Sequence, residues 1–91
     1  MITRDNFQKV LENLGFSQDL AGVWTKGFSE GTLSVDFEVE KLIYPDDLAV
    51  NVATTTNFSD PENFVVFECV HRLLQKGYRP RHIELERPVK V

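Results

Sequence analysis

The chain has very little sulfur. Cys69 is its only cysteine, which rules out a disulfide within the chain and any cysteine-rich zinc site. Long apolar runs are also missing: no window reaches the ~18 consecutive apolar residues of a membrane span. The first residues, MITRDNFQ, lack the apolar stretch of a secretory signal. Together these absences favour a reducing, cytoplasmic setting and no membrane partner. Sequence motifs are scarce too. GxGxxG, the P-loop, HExxH, GxSxG and CxxC do not occur, which removes the short signatures of dinucleotide, nucleotide, zinc-protease, hydrolase and thiol-redox chemistry. A broad basic surface is missing as well. Residues 1–69 hold 4 basic and 12 acidic side chains, whereas residues 70–91 hold 6 basic and 2 acidic ones. Contact with a phosphate backbone is therefore expected only in the C-terminal quarter.

What remains is the composition of one small globular domain, 42% hydrophobic and 26% charged over 91 residues. Phe7, Val10, Leu11 and Leu14 follow the spacing of an amphipathic helix, predicted over 4–14. Thr3 can cap its start. Gly15 ends it, with Phe16 as the apolar partner of a Schellman cap. Residues 17–22 read as a turn and VWTKGF, 23–28, as a strand. SEGT, 29–32, reads as a hairpin connection in which Gly31 takes positive φ. The return strand alternates cleanly: Leu33, Val35, Phe37 and Val39 face a core, and Ser34, Asp36, Glu38 and Glu40 face water, until Pro45 stops it. Those acids spread over ~13 Å of strand, too far apart to share one cation. Residues 46–59 form the longest loop, with a short strand expected at 48–52.

Asp60-Pro61-Glu62 reads as a helix start, with Asp60 as cap and Pro61 in the first turn. Ser59 with Glu62 as a capping box is the alternative frame. The helix over 61–76 is apolar on most of its circumference, leaving Glu68, His71, Arg72, Gln75 and Lys76 as a polar stripe. Cys69 is expected to be a small buried apolar residue there. Gly77 ends the helix, Tyr78 follows as apolar partner, and Pro80 prevents continuation. HIELE, 82–86, reads as a strand with Ile83 and Leu85 on one face. Trp24 and Phe28 share a face of their strand, with only Lys26 between them, and read as a core or interface pair. His71 and His82 have no companions at ligand spacing, so no metal site is expected. The fold class is α+β in the order α-β-β-α-β, a small antiparallel sheet packed against two helices. So apolar a second helix, together with an unpaired last strand, predicts self-association as a homodimer.

The stretch DPENFVVFECVHRLLQKGYRPRHIELE resembles the opening of the nuclease domain in type I restriction enzyme R subunits. The matching residues are Pro61, Glu62, Val65, Leu73, Leu74, Gly77, Tyr78, Pro80, Ile83 and Glu86. Residues 57–86 are also similar to the head of bacterial N-6 adenine DNA methylase polypeptides of restriction–modification systems. The resemblance implies a single small domain, 1–91, that forms the N-terminal part of a larger protein acting on DNA with other restriction–modification subunits. In that family of PD-(D/E)xK nucleases, Mg²⁺ is held by an Asp and a Glu-x-Lys pair on strands that follow this segment, and no such residues follow Glu86 here. The family's helix acid maps to Glu62. This chain is therefore expected to carry no cofactor and no cleavage chemistry of its own, with Mg²⁺ implied only for a complete parent. DNA-contact candidates are Arg72, Lys76, Arg79, Arg81, Arg87 and Lys90. The alternative reading is a stand-alone protein–protein interaction module that uses helix 61–76 and strand 82–86.

Overall fold

Arg4–Asn13 wind into the first helix, α1. The backbone N–H of Thr3 donates to Oδ1 of Asn6 at 2.8 Å, which fixes the first turn. The other end closes as the sequence predicts. Gly15 adopts φ 93°, and the N–H groups of Gly15 and Phe16 return to the carbonyls of Glu12 and Leu11 at 3.1 and 3.0 Å. That pair of bonds is the Schellman motif, and it turns the Phe16 ring into the core. These elements come from a computed structural model that describes residues 2–50 and 56–85.

Four strands follow as an antiparallel meander in spatial order: β1 (Ser17–Gln18), β2 (Trp24–Phe28), β3 (Gly31–Asp36) and β4 (Lys41–Ile43). Alternation holds over β3, where Leu33 and Val35 are fully buried. The predicted long strand then breaks. Oδ1 of Asp36 accepts the N–H groups of Glu38 and Val39 at 3.0 and 3.4 Å, and Glu40 takes φ 55°, so residues 37–40 reverse the chain. Val39, expected in the core, is 60% exposed at this turn, and Glu38 and Glu40 belong to the turn instead of a strand face. Gly31 does not have positive φ either. It is paired within β3, opposite Phe28, and its need for glycine is one of space: a Cβ there would lie 2.9 Å from Cγ of Pro45.

The last described strand is β6 (Glu84–Leu85). It does not join the meander. It pairs in parallel with β5 (Ala49–Val50), with Ala49 opposite Glu84 and Val50 opposite Leu85. Parallel neighbours need a long crossover, and the helix between them supplies it. Residues 51 and 52 of the expected short strand, and Glu86, lie outside the described residues. Before the second helix, the two expected strands and the short one at 48–52 thus become five among the described residues, while the α+β class stands.

The crossover helix, α2, spans Glu62–Gln75. Pro61 already has helical angles (φ −57°, ψ −26°), and Oδ1 of Asp60 accepts the Glu62 N–H at 2.9 Å, so the Asp60 frame is the one observed. Gly77, at φ 97°, repeats the Schellman bonding of Gly15, with the Tyr78 N–H reaching Leu73 O at 3.1 Å. Phe64, Phe67, Val70 and Leu74 are buried against α1, the meander, Ile83 and Leu85. The chain itself therefore covers much of the apolar face that suggested a partner. The core is unusually aromatic at this end: the ring of Phe7 lies 4.6 Å from that of Phe64 and 5.9 Å from those of Phe37 and Phe67. Two α2 residues depart from the sequence reading. Cys69 is exposed, because its place in the helical turn falls on the outer side, near exposed Val65. His71, assigned to the polar stripe, is buried. Among the described residues no helix is long and apolar enough to cross a membrane.

Candidate functional site

β2 presents Trp24, Lys26 and Phe28 on the face that also carries Leu33 and Val35, because Lys26 pairs with Leu33 and Trp24 with Val35. A lysine therefore stands at an inward position of the sheet. Its stem runs along the apolar layer and its ammonium emerges where α1 and α2 both end. Nζ donates to Leu14 O at 2.6 Å, meets Nε2 of His71 at 2.9 Å, and donates to Oε1 of Gln75 at 3.3 Å. Three N–H groups thus find three acceptors, one on α1's last turn and two on α2. A cation here also sits favourably against the free carbonyls of the α1 C-terminus.

Since an ammonium can only donate, Nε2 of His71 is the acceptor and the imidazole is neutral, with its proton on Nδ1. The ring lies between Phe16 and Phe28, with centroids 5.8 and 5.6 Å away. Burial holds the imidazole below its ordinary range, and the Lys26 ammonium pushes in the same direction. The Leu14 carbonyl and the Glu68 carboxylate oppose that shift, and Arg72 adds to it. Above this centre lies an open cleft of about 300 Å³, lined by Leu14, Glu68, His71, Arg72, Gln75 and Lys76. One guanidinium nitrogen of Arg72 donates to both carboxylate oxygens of Glu68, at 2.7 and 2.9 Å. Counting Lys26, the cleft carries three cations against one carboxylate, in a chain of net charge −4.

The predicted site residues separate into groups. Arg72 and Lys76 come together at this cleft, one helical turn apart. Arg79 leans toward Glu30 in the β2–β3 turn, with Nε 3.9 Å from the carboxylate. Arg81 is exposed on the short 3₁₀ helix Pro80–His82. Arg87 and Lys90 lie outside the described residues. Glu62 is exposed at the start of α2, and its backbone N–H is bound to Asp60. Among the described residues no three His, Cys, Asp or Glu side chains gather as a metal site. The Lys26–His71 pair is the feature that sequence reasoning missed. Its signal was available: Lys26 lies two residues from both Trp24 and Phe28, so a strand that buries those rings must turn Lys26 inward as well.

No known family model, characterised protein or solved structure matches this chain.

Proposed function

We propose that this domain belongs to a restriction–modification protein and contributes a DNA-facing, non-cutting element to it. The observation that carries the reading is the unit from Asn57 to Leu85. In it the Pro-Glu start, the amphipathic helix, the Gly-Tyr-Arg-Pro turn and the apolar strand follow one another in the order of the resembling restriction enzyme segment, and α2 ends at a cleft where cations outnumber acids. The site itself is suited to weak electrostatic contact. Arg72 is partly neutralised by Glu68, and Arg79 is drawn to Glu30, whereas Lys76 and Arg81 are exposed and form no ion pair among the described residues.

Fluorescence anisotropy with a labelled duplex tests the reading. Binding is expected at low salt, with a log–log salt slope no steeper than about −5, since about six phosphate contacts is the ceiling. Replacing Arg72, Lys76 and Arg81 together by Ser should weaken it at least tenfold. Absence of binding at 20 to 50 mM salt, or binding indifferent to that triple change, would remove the DNA-facing role. In Mg²⁺ buffer the chain should leave plasmid intact; cleavage that disappears in Glu62→Gln would overturn the non-cutting assignment.

A further inference from the structure

The geometry of the two helix ends points to a pH-operated latch: we propose that protonation of His71 breaks its contact with Lys26 and frees the C-terminal half of α2 from β2 and α1. The contact depends on one lone pair. At 2.9 Å, Nε2 of His71 accepts a hydrogen bond from the Lys26 ammonium, and a proton on Nε2 would place two donors and two positive charges face to face. The groups that meet the ring from each element can be named. β2 offers the Lys26 cation and the Phe28 ring, α1 the Leu14 carbonyl, and the segment after α1 the Phe16 ring; α2 offers Glu68 and Arg72. Glu68 is the only carboxylate among them that could favour an imidazolium, and it is already engaged bidentately by Arg72. Lys26 cannot retreat easily either, because its other two bonds go to Leu14 O and Gln75 Oε1.

The direction of the effect follows. The closed arrangement disfavours the imidazolium relative to a released, hydrated ring. Closure is therefore complete above the ordinary imidazole value of about 6.5 and is lost as pH falls below it toward the lowered value of the closed form.

The chain contains two histidines and a single tryptophan, Trp24, which stands two residues from Lys26 on the same strand face, so the test reads cleanly. Trp24 emission and the His71 ring proton signals are followed from pH 8 to 4.5. The latch predicts one shared transition with a midpoint below 6.5, absent in His71→Gln, which can still accept from Lys26 but does not titrate, and retained in His82→Gln. Lys26→Gln, which removes the facing cation, should raise the His71 midpoint; a merely structural lysine would leave it in place. A Trp24 transition that survives in His71→Gln, a His71 ring that titrates with no response at Trp24, or a midpoint unmoved by Lys26→Gln would each overturn the proposal. Should His71→Gln fail to fold, the wild-type ring titration and Lys26→Gln still decide it.

Discussion

The two helices end with the same backbone device and with opposite consequences. At Leu14-Gly15-Phe16 and at Lys76-Gly77-Tyr78, a glycine at φ 93° or 97° sends two N–H groups back to the last turn. After α1 the aromatic residue is 5% exposed and packs on Phe67 and His71; after α2 it is 54% exposed. The glycine sets the turn, and what the chain meets next decides whether the following ring is buried. Phe16 enters β1 beneath the meander, where α2 crosses it. Tyr78 leads into Arg79 and Pro80, which carry the backbone toward β5 and leave the ring outside. Lys26 reaches both ends at once, holding Leu14 O on one side and Gln75 and His71 on the other.

The largest expected effect separates those two rings. Phe16→Ala should cost about 3–5 kcal/mol in urea unfolding, the range for truncating a fully packed aromatic. Tyr78→Ala should stay within about 0.5 kcal/mol, as for an exposed site. Equal losses would mean that Tyr78 packs on something the chain encloses. Gly15→Ala and Gly77→Ala should each cost about 1–2 kcal/mol, because both would force a Cβ into left-handed backbone. Space does not distinguish them: a Cβ at Gly15 meets only the end of the Lys26 side chain, Nζ at 3.5 Å and Cε at 3.8 Å, and one at Gly77 meets nothing within 4 Å. Differential scanning calorimetry on the two variants should therefore show similar drops in Tm, and a much larger drop for Gly15→Ala would reveal that Lys26 cannot yield. A smaller effect is expected at the other end of α2, where Asp60→Ala should cost about 0.5–2 kcal/mol for the lost cap. An unchanged melt would move the helix start to Ser59.

Both caps, both helices and the inward faces of β2 and β3 were legible in the sequence, because glycine placement and apolar period act locally. The break at Val39 was not. Phe37 and Val39 continue the alternation, but the Asp36 carboxylate accepts two N–H groups and Glu40 takes positive φ, which turns the chain there. The parallel pairing of β5 and β6 was equally hidden, since strand partnership depends on where α2 returns the chain. Cys69 and His71 exchanged their expected places for a related reason. α2 is apolar almost all round, so its composition does not say which side meets the sheet; Lys26, by offering a hydrogen bond, gives His71 a reason to face inward. The basic cleft was half visible: Arg72 and Lys76 are one turn apart on any helix, whereas the third cation comes from β2 and required the fold.

Lys26 and His71 act as one unit that ties the sheet to both helix ends. A double-mutant cycle in urea tests that most directly, with Lys26→Met, His71→Phe and the pair combined. Lys26→Met leaves buried His71, and His71→Phe leaves half-buried Lys26, short of a partner, so each should cost about 1–3 kcal/mol, while the double variant replaces both by apolar groups and should recover part of the loss. The predicted coupling is about 1 kcal/mol or more in favour of the pair. Additive costs, agreeing within about 0.3–0.5 kcal/mol, would show that the two side chains are independent neighbours and would contradict the tie.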